Sequence, residues 1–237
     1  MQRRWMIAGV LMIVLAAVLI GLRGWITSRH TEKSWNLPLA GRVIVVDAGH
    51  GGIDGGAVGG STVEKEITLI IARDVRNYLQ ETGAIVVMTR DSDDDLSDDR
   101  FTGRHKTQDL LRRASLTKKS KPDAFISIHL NAIPDAHSRG AQTFYYPKSE
   151  KNSRLASLIQ DSLRQSLENT NRLAKAIHHV YLLKKATPPA ALVEIGFLSN
   201  PTERALLVRS DYQKAAAAAV CHGIMRYFSN EKIKTNP

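Results

Sequence analysis

Apolar and polar positions divide the chain into an N-terminal apolar block, a polar stretch, and a long segment where strand-like and helix-like patterns take turns. Val43–Val46 is a short β-branched run that leads into Asp47, Ala48 and the glycine-flanked His50. It reads as a buried strand with His50 at its C-terminal end. Residues 53–63 form a loop of glycines and small residues. From Glu64 onward, Ile67, Ile70, Ile71, Val75 and Leu79 recur at helical spacing, and Gly83 stands where a helix C-terminus is expected. Ala84–Met88 is a second strand and Leu110–Lys119 a helix with a basic face. Asp123–Ile128 is a third strand that delivers His129 at its end. Ala141–Tyr146 is another strand and Ser153–Leu167 a helix. Val180–Leu183 and Ala190–Ile195 read as strands separated by Pro188 and Pro189, and Ala205–Phe228 closes the chain with one or two helices. This alternation predicts a single α/β domain with a mostly parallel twisted sheet of about six strands and helices on both faces.

The N-terminal block differs from the rest. Trp5–Leu22 is 18 residues without a polar side chain, preceded by Arg3 and Arg4. That length is near the minimum for a membrane span, and the leading arginines favour a cytoplasmic N-terminus. The segment 1–27 is therefore expected to be a transmembrane signal anchor, with the domain on the extracytoplasmic side. A cleaved signal peptide is the alternative, but no small-x-small site follows the run and the apolar stretch is long for one. Residues 28–40 read as a polar linker, 41–230 as the folded domain and 231–237 as a tail.

Of the net charge of +10, residues 1–40 contribute +4, so the remainder is spread over the domain. With 6% aromatic residues and no basic stripe, a nucleic-acid interface is not expected. A basic surface suits an anionic polymer such as a cell wall. The single cysteine, Cys221, excludes an internal disulfide and any multi-cysteine metal site; its alanine-rich surroundings suit a small core residue. The six aspartates of Asp91–Asp99 lack the ordered spacing of a calcium loop and read as a solvated loop.

The candidate chemistry lies at strand ends. His50 and His129 each follow a strand, Glu194 stands near the end of the strand LVEIG, and Glu64 opens the first helix. In an open α/β sheet the carboxyl ends of the strands form the ligand edge. Two imidazoles and one carboxylate make a common catalytic zinc set with a fourth position for water, and a second carboxylate can take the proton. Spacing alone leaves open which glutamate ligates and which acts as base. Each residue also has a plainer reading. His50 fits a turn, His129 a sheet edge, and Glu64 a capping box with Ser61. Glu194 fits a turn, although a buried acid without a partner is costly. Asp47 is either a partner for a ligand imidazole or a strand-end turn residue, and Asn131 is expected to hold its own loop. His178 and His179 are adjacent in an expected strand, so at most one could reach the crevice.

The segments DAGHGGIDGGAVG, EKEITL, TR, FISIHLNA, GAQTFYY and ALVEIGFLSNPTE together resemble the zinc-dependent N-acetylmuramoyl-L-alanine amidases of bacterial cell walls. They occur in that family's order and span about Val43 to Phe228. The resemblance implies Zn2+ bound by His50, Glu64 and His129, and Glu194 as the catalytic residue. It implies peptidoglycan as substrate, cleaved between the lactyl group of muramic acid and L-alanine. A short catalytic domain behind a membrane segment, without wall-binding repeats, resembles the germination-specific amidases of spore formers, which prepare cortex muramic acid for δ-lactam formation. Many members carry proline where this chain has Ala48. Two rivals remain: a zinc carboxypeptidase acting on wall peptides, which would more usually offer His-x-x-Glu, and a non-catalytic wall-binding module, which would need no base. Nothing in the sequence points to a particular protein partner.

Overall fold

A computed structural model describes residues 6, 12, 14–21, 37–98 and 104–232. Among the described residues no helix is long and apolar enough to cross a membrane; most of the expected anchor, and most of the expected linker and tail, lie outside them. The packed unit starts at Pro38, and Leu39 is fully buried, its N–H bonded to the Thr82 carbonyl at 3.0 Å.

The elements run β1 (Val43–Ala48), β2 (Val58–Gly59), β3 (Thr62–Val63), α1 (Glu64–Glu81), β4 (Ile85–Met88), α2 (His105–Ser120), β5 (Ala124–Asn131), β6 (Gln142–Tyr145), α3 (Glu150–Leu167), β7 (Lys175–Ala176), α4 (Tyr181–Lys185), β8 (Ala190–Phe197), α5 (Pro201–Leu207) and α6 (Ser210–Phe228). Six strands form one sheet in the order β4-β1-β5-β8-β6-β7, and β2 pairs with β3 in a separate hairpin. The pairs β4–β1, β1–β5 and β5–β8 are parallel; β6 runs antiparallel to β8, and β7 parallel to β6.

Helices cover both faces, so the central strands read as nearly continuous apolar runs. Alternate residues of those strands serve different layers. Ile44, Val46, Ile126, Ile128 and Val193 pack with α1, α3 and α6 in the larger core. Val45, Phe125, Ala190 and Leu192 pack with α4, and with Leu110 and Ala114 of α2, in the smaller one. In the larger core α6 crosses α3 so closely that a Cβ on Gly223 would sit 2.5 Å from the Cα of Ile159.

Three local expectations are corrected. Val180–Leu183 does not form a strand; α4 occupies Tyr181–Lys185. Leu182, Leu183 and Ala186 all bury in the smaller core, which a helical turn permits and strand alternation would prevent. Ile70 is 43% exposed, while Thr68 is buried and donates to the Gly49 carbonyl at 2.9 Å. The α1 face thus turns toward the loop after β1, leaving Ile70 outside. The Ser61 capping box is absent: Val63 is the N-cap and makes no side-chain cap bond.

Candidate active site

The site lies at the C-terminal edge of β1, β5 and β8. Asp47 pairs with Ser127 across β1 and β5, and His129 pairs with Glu194 across β5 and β8. Laterally paired residues share a face of a sheet, so His129 and Glu194 emerge side by side. His50 leaves β1 by a different route. The Gly49 N–H still bonds the Ile128 carbonyl at 3.0 Å, and His50 then turns into the left-handed region at φ 63. Gly51 and Asp54 close the turn with two backbone bonds of 2.9 and 3.0 Å, which brings the imidazole over the end of α1.

There Glu64 meets both histidines. His50 Nε2 lies 3.1 Å from Glu64 Oε2, and His129 Nδ1 lies 3.0 Å from Glu64 Oε1. One donor atom from each of the three residues falls within 4.8 Å of the others. The carboxylate is aimed by two backbone donors, Ala57 N to Oε2 at 2.8 Å and Leu130 N to Oε1 at 2.9 Å. Burial works against its ionised form, but hydrogen bonds from His129 and His50 and their charges outweigh that and hold its pKa far below the carboxylate range. A Cβ on Gly56, which has φ +71, would meet Glu64 Oε2 and His50 Cδ2 at 2.6 Å, so this loop needs glycine on two counts.

Glu194 stands beside this trio in a crevice of about 390 Å³ that also holds Lys106 and Tyr181. Its Oε2 is buried and has no hydrogen-bond partner among the described residues. Burial raises its pKa to about 7, with the histidine charges opposing the shift. A carboxyl group with a free oxygen and a pKa near neutrality is equipped to accept and return a proton.

The N-acetylmuramoyl-L-alanine amidase family model matches residues 44–226. The chain belongs to this family. It is 52% identical over 207 residues to the germination-specific N-acetylmuramoyl-L-alanine amidase of Bacillus subtilis (strain 168), covering 86% of this chain and 87% of that protein. Among solved structures it resembles the CwlD amidase of Clostridioides difficile, determined in complex with the GerS lipoprotein (TM-score 0.77, 37% identity, 79% of this chain and 98% of that one). It also resembles the catalytic domain of the amidase CwlV of Bacillus (Paenibacillus) polymyxa var. colistinus (TM-score 0.69, 30% identity, 79% and 98%).

Other candidates of this amidase resolve differently. Among the described residues Asp47 hydrogen-bonds to no imidazole. It accepts from Thr89 Oγ1 at 2.7 Å, from Ser127 Oγ at 2.5 Å and from Arg113 Nη1 at 2.8 Å. The carboxylate that bonds a histidine is Asp54, whose Oδ2 lies 3.0 Å from His50 Nδ1 and 3.2 Å from Lys106 Nζ. Asp54 was missed because nothing distinguished it from a turn residue; its spacing of four from His50 was the available signal. Asn131 ends β5, and its carbonyl accepts from Leu198 N at 2.8 Å while the residue also lines the crevice. His178 packs edge-on to Tyr146, and neither it nor His179 lines the crevice. Cys221 is buried, which pushes its thiol up to about 11. The aspartates at the start of the acidic loop pair with cations: Asp91 with Arg73 and Arg76, Asp93 with Lys65.

Two buried arginines beneath the loop were not anticipated. Arg113 forms ion pairs with Asp47 and Asp109 at 2.8 Å each and donates to the carbonyls of Ala48 and His50 at 2.7 and 2.6 Å. Arg90 donates to the carbonyls of Ala48, Gly49 and Lys65 at 3.0, 2.9 and 2.7 Å. Burial disfavours charge on Arg113, but Asp47 and Asp109 reverse the effect and raise its pKa. Asp47 responds in kind: burial would raise it, and the Arg113 charge with the Ser127 bond lowers it. Together the two guanidiniums fix the backbone that presents His50.

Proposed function

We propose that this amidase cleaves the amide between the lactyl group of N-acetylmuramic acid and L-alanine, using a zinc ion held by His50, Glu64 and His129 and the carboxyl group of Glu194. The observation that carries this reading is the convergence of two imidazoles and one carboxylate beside the partnerless oxygen of Glu194. The donor set fits a catalytic zinc site, which keeps an open position for water. Asp54 Oδ2 is placed to accept a hydrogen bond from His50 Nδ1–H, the tautomer that leaves Nε2 free to ligate. When bound, zinc supplies a Lewis acid that polarises the substrate carbonyl and acidifies water.

The chain's own residues then move the proton. Glu194 accepts it from the attacking water and returns it to the departing alanine amine, a role suited to a carboxyl poised near neutral pH. The 52% identity to a germination-specific amidase over most of both chains supports spore-cortex peptidoglycan as substrate and muramic δ-lactam formation as the downstream step. The apolar run behind Arg3 and Arg4 supports a membrane anchor with the domain outside the cell. Glu194→Ala is expected to keep its metal and lose hydrolysis, whereas His129→Ala loses the metal by elemental analysis. Cleavage of muropeptides by Glu194→Ala at the wild-type rate would sink the mechanism.

A further inference from the structure

A second cavity, of about 640 Å³, lies by the edge of the sheet that carries β6 and β7, lined by Arg139, Asn169, Thr170, Arg172 and Asn200 among others. Its lining mixes polar and apolar surface and includes the guanidiniums of two exposed arginines. The Arg139 side chain has no hydrogen-bond or ion-pair partner among the described residues. Arg172 is braced by neutral groups, and both it and Arg139 lie within electrostatic reach of the Glu203 carboxyl group. It donates to the Arg139 carbonyl at 3.2 Å, reaches Gln142 Oε1 at 3.5 Å and lies 5.3 Å over the Phe197 ring. Two acids border the cavity. Glu203 is buried and occupied, accepting from Gly140 N at 2.8 Å and Phe197 N at 2.7 Å. Glu168 is exposed and pairs with neither arginine.

The cavity is tied to the reaction centre in two ways. Gln142 pairs directly with Glu194 across β6 and β8, so their side chains share a face, and Gln142 in turn contacts Arg172. One strand spacing and one glutamine side chain therefore separate Glu194 from the guanidinium, about 10 Å. The loop that leaves β5 also borders the catalytic crevice at Ala132 and this cavity at Arg139. Extended peptide spans at most about 3.6 Å per residue, so Arg172 stands about three residues along a peptide whose first amide lies at Glu194.

We propose that Arg139 and Arg172 form a subsite for a carboxylate of the stem peptide, about three residues beyond the cleaved bond. This rests on the amidase reading above. A guanidinium pair presents planar donors that match a carboxylate, and Arg172, already braced by Gln142, fixes the direction of approach. The subsite recognises the peptide leaving group, so acidic stems are favoured over amidated ones.

The test uses the zinc-loaded full chain and two N-acetylmuramoyl tripeptides, one with free carboxylates and one fully amidated. With the free-carboxylate substrate, Arg139→Gln raises KM about tenfold, the loss of one charge-assisted pair at a wet site, with kcat within twofold, and Arg139→Lys recovers part of it. The amidated substrate starts with a high KM in the wild type and does not respond to the variant. An unchanged KM for the free-carboxylate substrate, or equal effects on both substrates, overturns the subsite. Calorimetric titration of the free tripeptide into Glu194→Gln, with and without Arg139→Gln, separates the two readings. Arg139-dependent binding without any hydrolysis by the wild type would keep the subsite and reject the proposed reaction; binding independent of Arg139 rejects the subsite.

Discussion

Arg113→Lys probes how the fold holds His50. Arg113 is 1% exposed and donates to two carboxylates, on Asp47 and Asp109, to the carbonyls of Ala48 and His50, and at 3.4 Å to Thr89 Oγ1. Lysine retains the charge but concentrates its donors on one nitrogen. It cannot span Asp109 on one side and the His50 carbonyl on the other. Breaking a buried ion pair outright costs about 3–5 kcal/mol, and a buried carbonyl without a donor about 1–3 kcal/mol. With the charge retained, the expected loss is about 3–4 kcal/mol, against a total domain stability of about 5–15 kcal/mol. Urea unfolding should therefore show a lower midpoint at an unchanged slope. His50 sits at φ 63, a conformation that persists only when its surroundings enforce it, so metal affinity by chelator competition should fall about 10- to 100-fold. The difference also depends on pH. Arg113 depresses the folded pKa of Asp47, so that stabilisation is complete above the ordinary aspartate value of about 4 and is lost as pH falls below it. Wild type and variant should converge in acid. A stability loss under about 1 kcal/mol together with unchanged metal affinity would refute the clamp.

Three further outcomes follow from the site. Glu194→Gln, stripped of metal, should be more stable than the wild type above pH 7 by about 1–3 kcal/mol. Burial raises the folded pKa of Glu194 to about 7, so ionisation there costs stability as pH rises, and equal denaturation midpoints at pH 8 would argue against it. Asp54→Ala should weaken metal binding about 10- to 100-fold by releasing His50 Nδ1, with thermal stability of the metal-free protein nearly unchanged; an unaltered affinity in chelator competition counts against it. Gly56→Ala should lose the metal while the circular dichroism of the sheet persists, because the new Cβ meets Glu64 Oε2 and His50 Cδ2 at 2.6 Å; full metal occupancy would contradict the geometry.

The order of strands and helices was legible because β1, β5 and β8 are covered on both faces and so carry unbroken apolar runs. His50, His129 and Glu194 stood out for a related reason, as chemistry-bearing side chains that interrupt or follow those runs, whereas Glu64 opens a helix and its place among the expected ligands came from the family resemblance and not from spacing. Val180–Leu183 was misread because a five-residue helix is too short to express its period, and only the common burial of Leu182, Leu183 and Ala186 distinguishes it. Asp47 and Asp54 exchanged roles for a reason spacing cannot carry. The partner of Asp47 is Arg113, 66 residues away in sequence and brought in by α2, whereas Asp54 reaches His50 only because His50 turns left-handed. In the sequence Arg113 reads only as part of a helix with a basic face and Arg90 only as part of the TR segment, so neither is singled out. Their burial depends on the carbonyls of Ala48, Gly49, His50 and Lys65, which are brought together only once β1, the loop after it and the start of α1 have folded.

The most direct measurement is mass spectrometry of muropeptides after incubation of cortex peptidoglycan with the zinc-loaded protein, alongside Glu194→Gln. Hydrolysis at the lactyl amide yields muramic acid residues lacking their stem peptide and free peptides beginning with L-alanine, both absent with Glu194→Gln. Shortened stems still attached to muramic acid, or the same products from Glu194→Gln, would contradict the proposed reaction.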